Sequence, residues 1–238
     1  MGPKHVATVA INVMIFNMND PVYEDKDILV LNKPAGVPVQ VDVRSSEHTV
    51  LEDVRKEYPE AMLVHRLDKD TSGLLIVAKN SVSYEYFKQL FKERKVKKIY
   101  IALVGGVVSK NEGTISLAIA RSKKDFRKRV ASPRMVKGAR VAETHFKILQ
   151  RYHEYTLLEV SPKTGRTHQI RSHLASIGYP VACDRLYGGK KYLCPVGLDR
   201  QFLHAAGLEF ETKDNKRIYL EAELPSDLKH ALETLKMP

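Results

Sequence analysis

Val64-His65-Arg66-Leu67-Asp68-Lys69-Asp70-Thr71-Ser72-Gly73-Leu74-Leu75-Ile76-Val77 is the stretch on which the reading of this chain turns. Its second half is a continuous apolar run of strand length, the pattern of a strand buried on both faces. Its first half sets a carboxylate, Asp68, between Arg66 and Lys69 in a loop closed by Gly73. Glycine permits a tight turn before the strand, which places Asp68 at the rim of a sheet. The Thr71 and Ser72 hydroxyls can satisfy loop amides. Taken alone, an Asp after Arg-Leu is usually a turn residue; the buried strand behind it makes this one a candidate for chemistry, as nucleophile, base or ion-pair partner.

Outward from this stretch, the chain reads as strands interrupted by few helices. Residues 22–24 and 28–32 flank Asp25-Lys26-Asp27 as a hairpin, which Lys33-Pro34-Ala35-Gly36 ends. Thr49 with Glu52 forms a capping-box pair that opens a helix to about Glu57, stopped by Pro59. Residues 74–78 form a buried strand. Asn80 and Ser81 start a helix with Tyr84, Phe87, Leu90 and Phe91 on its apolar side. Residues 98–108, 114–119, 140–149 and 155–160 read as strands, with Gly105-Gly106 a bulge or bend. Residues 167–177 read as a helix ended by Gly178 and Pro180. Residues 202–210 and 217–220 bracket a turn at Lys213-Asp214-Asn215, and 226–235 is a terminal helix. Helices that do not alternate one for one with strands predict an α+β fold: a mixed, mainly antiparallel sheet flanked by helices and loops. Residues 1–20 are expected to be a tail or edge strand, and 21–238 one catalytic domain.

Composition narrows the partners. At 238 residues with 43% hydrophobic content, folding can bury about 70–75% of the unfolded surface. The formal charge of +11 points to a polyanion, nucleic acid first. Two cysteines, Cys183 and Cys194, make no disulfide framework in a domain of this size and have no metal-ligand spacing, so the expected compartment is reducing. The apolar N-terminal run, broken by Asn12, is too short to cross a bilayer and lacks a cleavage site. The expectation is a cytoplasmic protein with no membrane contact.

Further segments carry candidate chemistry. Tyr100, in Lys98-Ile99-Tyr100-Ile101-Ala102, is an ordinary sheet tyrosine by position; its alternative is an aromatic platform for an extruded base. Thr164-Gly165-Arg166-Thr167-His168-Gln169-Ile170-Arg171-Ser172-His173 holds two histidines at i and i+5. These fall on different helix faces, so a metal site is rejected. Glycine before a helix start, followed by Arg, Thr and His, suits a phosphate. Arg171 can instead pair with a buried carboxylate. Of two basic runs, 92–98 ends a helix, where cations suit the macrodipole. The run 121–129, with Lys123, Lys124, Arg127 and an embedded Phe126, reads as a strand-free loop contacting an RNA backbone.

Taken together, these segments resemble the RluA branch of RNA pseudouridine synthases over residues 22–224. His65-Arg66-Leu67-Asp68 with Thr71-Ser72-Gly73 is similar to its catalytic motif. Gly165-Arg166-Thr167-His168-Gln169-Ile170-Arg171 is similar to its third motif. Lys33-Pro34-Ala35-Gly36, Lys98-Ile99-Tyr100, Asp184-Arg185-Leu186-Tyr187-Gly188 and Leu203-His204-Ala205 fit others. The resemblance implies that Asp68 attacks the target uridine, that Tyr100 stacks under the base and accepts a proton, and that Arg171 pairs with Asp68. Leu203 would wall the pocket, and His65, Arg66, Thr71, Arg166 and His168 would contact substrate. It also implies isomerisation of uridine to its C5-glycoside, without cofactor or metal, in ribosomal or transfer RNA stem-loops rather than DNA. The few residues before Val22 leave no room for an S4-type module, as in short members, and a monomer is expected. Two rival readings stand beside it: a metal-independent ribonuclease using His65 and His168 with Lys69, and a non-catalytic RNA-binding protein.

Overall fold

The computed structural model describes residues 21–40 and 47–235, so the tail or edge strand expected over 1–20 lies outside the described residues. The described residues begin with a hairpin of β1 (Tyr23–Glu24) and β2 (Ile28–Lys33), turned by Asp25, whose carboxylate accepts the Asp27 and Ile28 amides. Helix α1 (Val50–Glu57) starts at Thr49, and Thr49 and Glu52 bond each other's backbones as the capping-box pattern predicts. A two-residue strand, β3 (Met62–Leu63), precedes the Asp68 loop, and β4 (Ser72–Ala78) follows it. Asn80 caps α2 (Ser81–Lys92).

β5 (Lys97–Gly105) ends three residues earlier than the sequence pattern suggests, because Gly106 turns at φ +99°. The expected strand 114–119 is two strands: β6 (Glu112–Ser116) and β7 (Ala118–Arg121), parted at Leu117 and assigned to different sheets. The run 121–129 is the turn of a hairpin, since β7 pairs with β8 (Arg129–Ser132) from Ala118 opposite Ser132 to Arg121 opposite Arg129. β9 (Glu143–Arg151) and β10 (Tyr155–Pro162) follow. Helix α3 (Gln169–Ser176) starts two residues later than expected, because His168 takes the left-handed conformation at φ +53°. β11 (Leu203–Glu211), β12 (Arg217–Glu221) and α4 (Ser226–Thr234) complete the chain.

The main sheet runs β1-β2-β4-β11-β5-β10-β9-β6, with β12 beside β11 and β3 beside β4. Every pairing is antiparallel except β11 with β4, so the fold is α+β on a mixed sheet. That parallel pairing covers only Ser72 opposite His204 and Gly73 opposite Ala205; beyond it the two strands diverge. Gly73 is required there, since a Cβ on it would lie 2.2 Å from the Ala205 carbonyl oxygen and its φ is +110°.

Alternation along the strands sorts the core. Leu29, Leu31, Leu75, Val77, Tyr100, Ala102 and Leu203 face α1 and α3, with Val50, Val54, Ile170 and Leu174 against them. Ile28, Val30, Leu74 and Ile76 face α2 through Phe87 and Leu90. All seven residues of β4 are buried, which is why its sequence is a run and not an alternation. Cys183 and Cys194 are joined by a disulfide, Cα to Cα 4.5 Å, against the sequence reading of no disulfide framework. The folding of residues 183–194 back on themselves brings the two sulfurs together, which an eleven-residue spacing does not announce.

Candidate active site

Asp68 stands on loop 64–71, between β3 and β4. Leu67, 3% exposed, sinks into the core beside it, and the Thr71 amide bonds the Asp68 carbonyl to make the turn. The loop is held from below by Lys33, wholly buried, whose ammonium donates to the carbonyls of Pro34, Val37 and Lys69 at 2.6, 2.9 and 2.9 Å. The Gly36 amide also bonds the Lys69 carbonyl. Burial pulls Lys33 down to about 7, with Asp70 and Asp68 opposing it. Thr71 is buried with its hydroxyl taken by Gln201 at 2.8 Å, and Arg200 bonds the Asp70 carbonyl.

The Asp68 side chain is 17% exposed and its Oδ2 accepts from Arg171 Nη1 at 2.9 Å. Arg171, on the first turn of α3, turns its other edge to Asp184, giving Nε to Oδ2 at 2.7 Å and Nη2 to Oδ1 at 3.0 Å. Asp184 is fully buried and also accepts the Leu186 and Tyr187 amides. Burial works against the charge of Arg171, but Asp184 first and Asp68 second outweigh it and hold the guanidinium above its usual range. All three hydrogen bonds of the fork are thereby made before any substrate arrives.

Tyr100 and Leu203 come from neighbouring strands: Leu203 lies opposite Ala102, two residues from Tyr100 on the same face. Both are buried and both line a cleft of about 460 Å³ with Asp68 and Arg171. Burial, then the charge of Asp68, pushes the Tyr100 phenol well above its usual value, so it enters the cleft protonated at neutral pH. Seven cations line the same cleft: Arg66, Lys92, Arg94, Lys98, Lys163, Arg166 and Arg171. Asp68 is the one carboxylate lining it among the described residues.

The remaining sequence candidates are distributed unevenly. Arg66 is exposed at the rim, and Arg166 lies in the cleft with its Nε on the Val141 carbonyl. His168 brings Nε2 to 3.8 Å from Asp68 Oδ2. His65 also borders the cleft, but its Nε2 accepts the Ile76 amide of β4 and its ring packs on Phe91 at 4.9 Å. Burial, then Lys98, takes its pKa down to about 3, so the imidazole is neutral and committed to the strand. Lys123, Lys124 and Arg127 lie outside the cleft, exposed on the β7–β8 arm, and Arg127 is paired with Asp125. The helix start does not follow Gly165 directly, as phosphate binding by that glycine would need; His168 stands there without a side-chain cap. Among the described residues no group of His, Cys, Asp and Glu could hold a metal ion.

Sequence reasoning missed Lys33, Lys98 and Asp184 as parts of the site. Lys98 lies in the cleft with its ammonium on the Thr164 carbonyl at 3.1 Å, drawn to about 8 by burial and by Arg166. Asp184 stood in a noted segment, but nothing in one dimension ties it to Arg171. The signal for Lys33 was a lysine ending an apolar strand directly before proline.

Comparison with known proteins decides the family. Residues 27–176 match the family model described as RNA pseudouridylate synthase. The chain belongs to that family. It is 37% identical to an uncharacterized RNA pseudouridine synthase of Bacillus subtilis, over 91% of this chain and 73% of that one. It is 39% identical to ribosomal large subunit pseudouridine synthase C of Salmonella typhi, over 90% of this chain and 69% of the relative. Ribosomal large subunit pseudouridine synthase D of Neisseria meningitidis is 36% identical, and the chain spans 92% of itself but 61% of that relative. Among solved structures, human RNA pseudouridylate synthase domain containing 4 superposes with a TM-score of 0.75 at 25% identity, covering 92% of this chain and 95% of that one.

Proposed function

We propose that this member of the pseudouridine synthase family isomerises uridines in stem-loops of ribosomal or transfer RNA, with Asp68 as the attacking group. The observation that carries the reading is Asp68 tied through Oδ2 to a doubly anchored Arg171, beside Tyr100 and Leu203, in a cleft lined by seven lysines and arginines and no second carboxylate among the described residues. The reaction exchanges the C1′–N1 bond for a C1′–C5 bond and moves one proton from C5 to N1. It therefore needs a carboxylate held in place, a stacking surface and a path for a proton, and no electron acceptor. Arg171 aims Oδ2, which leaves Oδ1 for the substrate. Tyr100 offers its ring to the extruded base, and Leu203 the adjoining apolar wall. Since the phenol is protonated at neutral pH, its first part is as platform and hydrogen-bond donor; accepting the C5 proton requires that its own proton be passed on.

The cleft cations, with Lys123, Lys124 and Arg127 on the arm, take the RNA backbone on either side of the target. The protein works as a monomer in the cytoplasm, on RNA rather than DNA; no helix among the described residues is long and apolar enough to cross a membrane. One observation weighs against the ribonuclease reading. His65, which would be its acid or base, is neutral down to about pH 3 and spends its free nitrogen on the Ile76 amide. The test is RNA tritiated at uridine C5, taken from cells lacking the modification. Tritium release with intact chains supports the isomerase. Shortened chains would support the nuclease, and binding with neither change would leave only an RNA-binding protein.

A further inference from the structure

Tyr187 lies in the loop closed by the disulfide, three residues after Asp184, and touches Asp184, Arg171 and His168, the groups that stand around Asp68. Its amide donates to Asp184 Oδ1 at 3.1 Å. Its ring lies 5.1 Å under the Arg171 guanidinium and meets the His168 ring edge-on, centroids 5.8 Å apart. Its hydroxyl has two neighbours. One is the backbone N–H of Arg129, the first residue of β8, where the turn of the β7–β8 hairpin ends, 2.7 Å away; the other is His168 Nδ1 at 3.0 Å.

The hydrogen-bond directions follow from chemistry. A backbone N–H can only donate, so the Tyr187 oxygen is its acceptor. The hydroxyl then has its own proton to give, and His168 Nδ1 is the group in line to take it. A neutral imidazole that accepts at Nδ1 carries its proton on Nε2, and Nε2 is the atom that faces Asp68 Oδ2. Burial lowers the His168 pKa, in spite of Asp68, so the neutral ring is the relevant form near pH 7. The gap of 3.8 Å is longer than a hydrogen bond in the free protein, and such contacts tighten when substrate closes the site.

We infer that Tyr187 is a positioning residue for the reaction, whose hydroxyl, oriented by the Arg129 amide, fixes the tautomer of His168 so that Nε2–H points at Asp68. Arg171 and His168 then hold the same carboxylate oxygen from two sides. The inference rests on Asp68 being the reacting group. The bland role for Tyr187 is a wedge that fills space beneath Arg171, and Phe would serve that role equally well.

Tyr187→Phe separates the two. It keeps the ring and the stacking on Arg171 and removes only the hydroxyl. Long-range proton–nitrogen correlation spectra, with His168 assigned by its loss in His168→Gln, are expected to show Nδ1 bare and Nε2 protonated in the unaltered protein. In Tyr187→Phe the expected result is a mixture of tautomers. Tritium release should show kcat lower by about 3- to 10-fold, the worth of one neutral hydrogen bond, with the variant still fully folded at the assay temperature. In the His168→Gln background, where no tautomer exists to be fixed, Tyr187→Phe should change kcat less than about twofold. A His168 spectrum identical in both proteins, an unchanged kcat in Tyr187→Phe, or full additivity with His168→Gln would overturn the inference. Absence of tritium release from the unaltered protein would instead overturn the isomerase reading on which it rests.

Discussion

At the scale of single residues, the site is a balance of buried charges. Arg171 serves two carboxylates at once, and its planar fork is what makes that possible. Lysine keeps the charge but not the fork, so Arg171→Lys should release Asp68 or Asp184 and lower turnover by about 100-fold, the cost of a misplaced reacting group. Steady-state tritium release checks this, and turnover near normal would show that charge alone suffices. His65 makes a statement about pH. Its pKa of about 3 in the folded protein lies below the ordinary 6.5, so between those values the unfolded chain binds more protons. Its share of stability is therefore whole above pH 6.5 and is lost as pH falls toward 3. His65→Asn should flatten the acid limb of stability, by up to about 1.4 kcal/mol per pH unit, in urea unfolding followed from pH 7 to 4. An equally steep limb would count against a neutral, committed His65. Asp68 and Arg171 were legible in the sequence because their flanking residues form a motif. Lys33 and Asp184 were not, because their importance is a matter of which loops meet.

At the scale of elements, what the sequence showed best were runs and caps. The buried run of β4 and the Thr49 box of α1 came through because each is a local pattern with one physical solution. The β7–β8 hairpin did not. Its strands are short, its turn holds Lys123, Lys124, Arg127 and Lys128 between the strand-end Arg121 and Arg129, and charge of that density reads as loop whatever the backbone does. Phe126 at its turn is 71% exposed. Replacing Lys123, Lys124 and Arg127 by alanine should weaken RNA binding, reduce the salt dependence of log K by about 2, and leave kcat near normal. Binding titrations at several salt concentrations decide it; an unchanged slope would remove the arm from the interface. Beneath the site, Lys33→Met leaves the Pro34 and Val37 carbonyls without a donor and the Lys69 carbonyl with the Gly36 amide alone, and should cost about 3 kcal/mol of stability, read by chemical unfolding.

At the scale of the whole molecule, the excess of positive charge and the architecture agree: the cleft gathers seven cations around one carboxylate, so the +11 of the chain has a place to act. The disulfide is the feature that composition argued against. Closing an eleven-residue separation, it should add about 2 to 3 kcal/mol, so reduction should lower the melting temperature, and an unmoved transition would show that it adds nothing. The account as a whole stands on Asp68, and Asp68→Asn is the most direct trial of it. The variant is nearly isosteric and keeps an oxygen for Arg171. It should bind RNA about as tightly as the unaltered protein and release no tritium from C5-labelled uridine. Release at a near-normal rate would contradict it.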